Sequence, residues 1–143
     1  MKCKEIMSHK TTWCKPESTV KQAVELMQKQ NCGVIPVADE EGYLQGILTD
    51  RDVALFVVSR NKNPEITQLK EFMNKDVITC YDDEELDELI SKMKEYKVRR
   101  IPIVDRENKL QGMVSLGDVA VKAPQEEHKA FEALEKISQP VHT

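Results

Sequence analysis

The chain has 143 residues and a formal charge of −4; charged side chains make up 32% of it and aromatics only 5%. That balance disfavours a nucleic-acid surface, which needs basic stripes with interleaved aromatics. No apolar run approaches the roughly 20 residues of a membrane span, and Met1-Lys2-Cys3-Lys4-Glu5 lacks the apolar centre of a signal peptide. The expectation is a cytoplasmic protein without a membrane role.

In chain order, a short helical turn at 4–7 precedes a brief β-like segment at 11–14. A long helix follows, for which Thr19 and Gln22 form a capping box and Val20, Ala23, Val24 and Met27 supply an apolar stripe at i, i+3, i+4 and i+7. The run Gly33-Val34-Ile35-Pro36-Val37-Ala38, the polar turn at 39–43 and the run at 44–48 read as a β-hairpin. Pro36 removes a ladder donor and should lie at a sheet edge or a local break. The hairpin ends in Gly46-Ile47-Leu48-Thr49-Asp50-Arg51-Asp52 and runs directly into an apolar helical segment at 53–55. At this strand-to-helix junction Thr49 can cap the helix, and the first-turn N–H groups can face an anion. The polar stretch 60–66 is a natural connector.

From 67 the pattern is written again. Sliding the sequence by the distance from Gly46 to Gly112 aligns 4–55 with 70–121 without a gap, pairing Met7 with Met73, Cys14 with Cys80, Met27 with Met93, Pro36 with Pro102 and Asp39 with Asp105. Leu86, Leu89, Ile90 and Met93 repeat the helical stripe behind an acidic start at 82–85, and Gly112-Met113-Val114-Ser115-Leu116-Gly117-Asp118 repeats the junction. A long period that occurs only twice fits a pseudo-symmetric pair rather than an open array. The organisation expected is repeat one over 1–59, a linker at 60–66, repeat two over 67–123 and a helical tail at 124–143. Phe131, Leu134 and Ile137 mark the tail's apolar face, which must find a partner on the chain's own core or on a second subunit.

No catalytic constellation and no glycine-rich phosphate loop is present, so the chain reads as non-enzymatic. His9, His128 and His142 lack metal-ligand spacing, and no metal site is expected. The four cysteines, Cys3, Cys14, Cys32 and Cys80, form no C-x-x-C pair and read as free thiols, although Cys14 and Cys80 hold equivalent positions at which a redox role is conceivable.

The gap-free repeat, the Val34-Ile35-Pro36-Val37 and Arg100-Ile101-Pro102-Ile103 strands and the two Thr/Ser-x-x-Asp endings together resemble the paired cystathionine-β-synthase (CBS) domain, or Bateman module, in its stand-alone form. The resemblance implies an α/β (α+β) fold of two tandem repeats, each a short helix followed by β-α-β-β-α, packed as a pseudo-twofold pair. It also implies an adenosine-containing ligand, AMP, ADP, ATP or S-adenosylmethionine, with no required cofactor, and a homodimer that reports to an unidentified protein partner.

Carried over residue by residue, the resemblance assigns Ile47, Thr49 and Asp52 with Val77, Ile78, Arg99, Arg100 and Pro102 to a first ligand cleft. A weaker second cleft draws on Met113, Ser115 and Asp118 with Thr11, Thr12, Cys32 and Pro36, and Arg51 as its cation. Gly33 and Val34 stand where the first cleft has Arg99 and Arg100, so the Asp52 cleft is expected to hold phosphate more tightly. The leading reading is a ligand-sensing regulatory module; the alternative is a structural or interaction protein that binds no nucleotide and acts through its dimer face.

Overall fold

The computed structural model describes residues 1–9 and 11–140. Two compact units are present: Thr12–Val77, and Met1–Thr11 together with the chain from Ile78 onward. The opening segment of each sequence repeat therefore belongs to the unit built mainly from the other repeat.

The first unit, Thr12–Val77, contains α1 (Val20–Gln30), β1 (Val34–Ala38), β2 (Leu44–Thr49) and α2 (Asp50–Val53), which continues as a π-helical stretch Ala54–Val58. Thr19 caps α1 as expected: its hydroxyl accepts from Gln22 N at 3.2 Å, and the Gln22 side chain accepts from Thr19 N at 2.9 Å. The next free N–H groups find carbonyls, Val20 N on Thr67 O at 2.9 Å and Lys21 N on Pro64 O at 3.0 Å, so the connector is stitched to the helix start. A left-handed Asn31 (φ 51°) ends the helix. Cys14, Val20, Ala23, Met27, Ile35, Val37, Leu48 and Leu69 form the core. Val24, expected in that stripe, is 41% exposed.

β1 and β2 pair antiparallel with Pro36 opposite Ile47. Ile47 turns its backbone outward, donating to Asn74 O at 2.9 Å and accepting from Asn74 N at 3.0 Å. Pro36 thus sits opposite a residue that asks nothing of it, in unbroken register; the ladder's irregularity falls further on, between Val37 and Ala38. The hairpin turn is held by Asp39, whose Oδ1 accepts from Glu41 N at 3.0 Å and Tyr43 N at 2.9 Å.

The second unit repeats the plan with β3 (Cys80–Tyr81), α3 (Leu86–Tyr96), β4 (Arg100–Val104), β5 (Leu110–Ser115) and α4 (Leu116–Lys122), and adds α5 (Glu127–Ile137). Its three-stranded sheet has the order β3-β4-β5, with β3 and β4 parallel. Met1 O accepts from Leu86 N at 2.8 Å, Cys3 N donates to Glu84 O at 2.9 Å, and Ser8 N donates to Met113 O at 3.0 Å. Each is the sequence-shifted counterpart of a bond made in the first unit by Thr67, Leu69 and Asn74. Cys3, Ile6 and Met7 accordingly lie in one core with Leu89, Ile90, Met93, Ile101 and Val119. α5 packs along α3 and α4 within its own unit, burying Ala130 and Ala133. Of the tail residues expected to bury, Ile137 packs partly on the core, whereas Phe131 and Leu134 stay 62% and 40% exposed.

Candidate functional site

The two junctions have nearly superposable chemistry. At the first, Thr49 Oγ1 accepts from Asp52 N at 3.0 Å while Asp52 Oδ2 accepts from Thr49 N at 3.1 Å. At the second, Ser115 Oγ accepts from Asp118 N at 3.0 Å and Asp118 Oδ2 accepts from Ser115 N at 2.9 Å. Each acid spends one oxygen on this reciprocal cap. The other oxygen differs: Asp118 Oδ1 lies 3.7 Å from Lys122 Nζ, whereas no described residue bonds Asp52 Oδ1.

The helix-start N–H groups expected to meet an anion are mostly committed. Asp50 N donates to Gly33 O at 2.9 Å, Arg51 N to Asp50 Oδ1 at 2.8 Å, and Leu116 N to Arg99 O at 2.8 Å. At these junctions side chains, rather than these N–H groups, are what is available to an anion.

Asp52 opens onto a cavity of about 260 Å³ lined by Leu55, Phe56, Ser59, Arg60 and Phe72. Phe56 and Phe72 stack with ring centroids 4.3 Å apart, and the Arg60 guanidinium lies 4.9 Å from the Phe56 ring centre. The apolar spacing of 53–57 could have flagged Phe56, but Phe72 reaches this site only through the fold. Arg60 sits in the stretch read as linker, with no motif to mark it.

Of the residues expected to line the two clefts, Thr12, Cys32, Pro36, Ile47, Thr49, Arg51, Asp52 and Val77 lie in the first unit, and Thr11, Ile78, Arg99, Arg100, Pro102, Met113, Ser115 and Asp118 in the second. Arg51 and Thr12 are exposed, Pro36 and Pro102 buried, and Thr11 Oγ1 donates to Ser8 O at 3.1 Å. Within the second unit, Arg99 and Arg100 border the same cavity as Ser115.

Among the cysteines the fold pairs Cys3 with Cys80, a partnership invisible to the repeat, which matches Cys80 to Cys14. Hydrogen bonding with Cys80, added to by burial, pushes the Cys3 thiol far above its usual range, while the bond from Cys3 holds Cys80 low. Among the described residues no His, Cys, Asp or Glu group of three or more could hold a metal ion; His142 lies outside those residues. Among the same residues no helix is long and apolar enough to cross a membrane.

The family model for the CBS domain matches the chain twice, over residues 3–59 and 69–123. The chain belongs to the CBS domain family. It is 36% identical over 140 residues to the CBS domain-containing protein YhcV of Bacillus subtilis, covering 97% of each chain. Its fold is similar to that of the CBS domain pair of protein MJ0100 in complex with 5′-methylthioadenosine and S-adenosyl-L-methionine, with a TM-score of 0.76 and 28% identity over 88% of this chain and 98% of that one. It is likewise similar to CBSX2 in complex with AMP, with a TM-score of 0.75 and 25% identity over 88% of this chain and 98% of that one. The two tandem CBS repeats and the mixed helix–strand fold expected from the sequence are thus both found.

Proposed function

We propose that this CBS pair is a non-catalytic regulatory module that binds an adenosine-containing ligand and passes the change in conformation to a partner or to a second copy of itself in a cytoplasmic homodimer. The observation that carries the reading is the Asp52 carboxylate, fixed by its cap at Thr49 with one oxygen uncommitted, at the mouth of a cavity that also presents Arg60 and a stacked Phe56–Phe72 pair. A carboxylate accepts from ribose hydroxyls, a guanidinium pairs with phosphate, and apolar rings accommodate a purine. Asp118 and Ser115 offer a second set in which Lys122 already engages the acid. CBS pairs of similar fold that hold AMP or S-adenosyl-L-methionine support the same ligand class.

The test is calorimetric titration of AMP, ATP and S-adenosylmethionine into the wild type, Asp52→Asn and Asp118→Asn. Asparagine keeps an oxygen able to serve the cap, so folding is spared. At least one ligand is expected to bind, with affinity falling tenfold or more, about 1.4 kcal/mol, in Asp52→Asn. If none of the three binds at millimolar concentration, the ligand-sensing reading fails and an interaction protein without a nucleotide takes its place.

A further inference from the structure

The repeat supplies an internal control for one cluster of reactive side chains. In the second unit the buried thiols of Cys3 and Cys80 hydrogen-bond each other, and two charged side chains adjoin them. Lys92 Nζ donates to Thr79 O at 2.9 Å, lies 3.5 Å from Glu84 Oε1 and also hydrogen-bonds Cys80. Cys3 is pinned beside them by its N–H, which donates to Glu84 O at 2.9 Å. The first unit makes the same backbone bond, Leu69 N to Ser18 O at 2.9 Å, and has Cys14 in the place of Cys80. There, however, Leu69 stands for Cys3, Leu26 for Lys92 and Ser18 for Glu84. Cys14 and Leu69 share a core with Leu26 packed against it, so apolar neighbours fill this place in the fold. Packing therefore does not call for a second thiol, an ammonium and a carboxylate in the second unit.

We propose that Cys3 and Cys80 are a peroxide-sensitive dithiol, which hydrogen peroxide closes into a disulfide that fastens the opening segment of the chain to β3. Cys80 Sγ gives up its proton and attacks one peroxide oxygen; the O–O bond breaks, and the leaving hydroxide takes up that proton as water. Cys3 Sγ then attacks the sulfur of the sulfenic acid so formed; the S–O bond breaks, and the departing hydroxide leaves with the Cys3 proton as a second water. The two sulfurs are oxidised by two electrons in all, and the peroxide is reduced to two waters. The surroundings set the two roles. The bond from Cys3 and the Lys92 charge hold Cys80 towards its thiolate, the nucleophilic form, whereas burial alone raises Cys14. Cys3 is kept protonated chiefly by that same bond, a hold that ends once Cys80 is oxidised. The Lys92 and Glu84 side chains, 32% and 19% exposed, link the buried sulfurs to the surface, an approach that suits an oxidant as small as peroxide. None of these residues belongs to the adenosine site, so the assignment stands apart from that reading.

The test exposes the folded full chain to excess hydrogen peroxide at neutral pH, alkylates it after denaturation, and maps its peptides by mass spectrometry with and without dithiothreitol. The expected product is a Cys3–Cys80 peptide pair that dithiothreitol separates, with Cys14 still a thiol. Recovery of Cys3 and Cys80 as thiols overturns the proposal. So does Cys80 carried on to sulfinic acid with Cys3 free, or Cys80 linked to any other cysteine. Lys92→Leu gives the second unit the side chain that the first unit has at this place, and circular dichroism checks its fold. Cross-linking is expected to slow at least tenfold in this variant; an unchanged rate overturns the part given to Lys92. The wild-type map decides the disulfide even where the variant fails to fold.

Discussion

Gly46 and Gly112 stand in the strands that lead into the two Asp-bearing junctions, and each allows another stretch of backbone to lie against its Cα. A Cβ at Gly112 would come within 2.4 Å of Ser8 O, and one at Gly46 within 2.9 Å of Asn74 O. Gly112→Ala is therefore expected to cost about 1–3 kcal/mol of stability in urea denaturation, since backbone rather than a flexible side chain must move. Gly117→Ala serves as the contrast: its Cβ would meet only Ser115 Oγ at 3.6 Å, in a helix, so stability should hold or rise by about 0.5–1 kcal/mol. The cysteines give a second test at this scale. Cys3, Cys14 and Cys80 are at most 7% exposed, while Cys32 is half-buried. Native protein treated with a chromogenic disulfide should show one fast thiol, abolished by Cys32→Ser, with the other three reacting only on denaturation.

At the scale of elements, α1 and α3 carry matching stripes yet bury them unequally. Val24 and Ile90 occupy equivalent positions, but Val24 is 41% exposed and Ile90 2%. The difference follows from α5, which packs along α3 and has no counterpart in the first unit. Ile90→Ala should lose about 2–5 kcal/mol, whereas Val24→Ala should stay within about 0.5 kcal/mol, both measured by thermal or urea unfolding. Periodicity identified both helices and the Thr19 cap, because those features are local. It over-assigned Val24 because a stripe records which side chains can be buried, not whether an element arrives to cover them. The tail helix shows the same limit: its apolar face was expected to meet either the chain's own core or a second subunit, and within the unit Ala130, Ala133 and part of Ile137 make the contact while Phe131 and Leu134 stay exposed, since close approach to α3 and α4 favours small side chains.

At the scale of the whole molecule, the sequence repeats and the packing units divide the chain differently. Ile6 belongs to the first repeat and is buried in the core of the unit that begins again at Ile78. Ile6→Ala should accordingly lower amide protection in α3, β4 and β5; a loss confined to β1 and β2 would contradict this assignment of the opening segment.

Sequence alone determined that there are two copies of one unit, that each joins a hairpin to a helix through a hydroxyl and an acid, and that each proline needs a position that asks for no ladder donor. All of these follow from spacing, capping and the missing proline N–H, which act over a few residues. Only the tertiary structure decided which opening segment completes which unit. Cys3, Ile6 and Met7 are apolar at the same offsets as Leu69, Phe72 and Met73, and both segments make equivalent backbone bonds. Either assignment satisfies the local chemistry equally well, so the choice rests on long-range packing that a one-dimensional pattern does not encode. The same holds for Arg60 beside Asp52 and for Cys3 beside Cys80: partners far apart along the chain, or with no motif to mark them, whose meeting is a property of the fold.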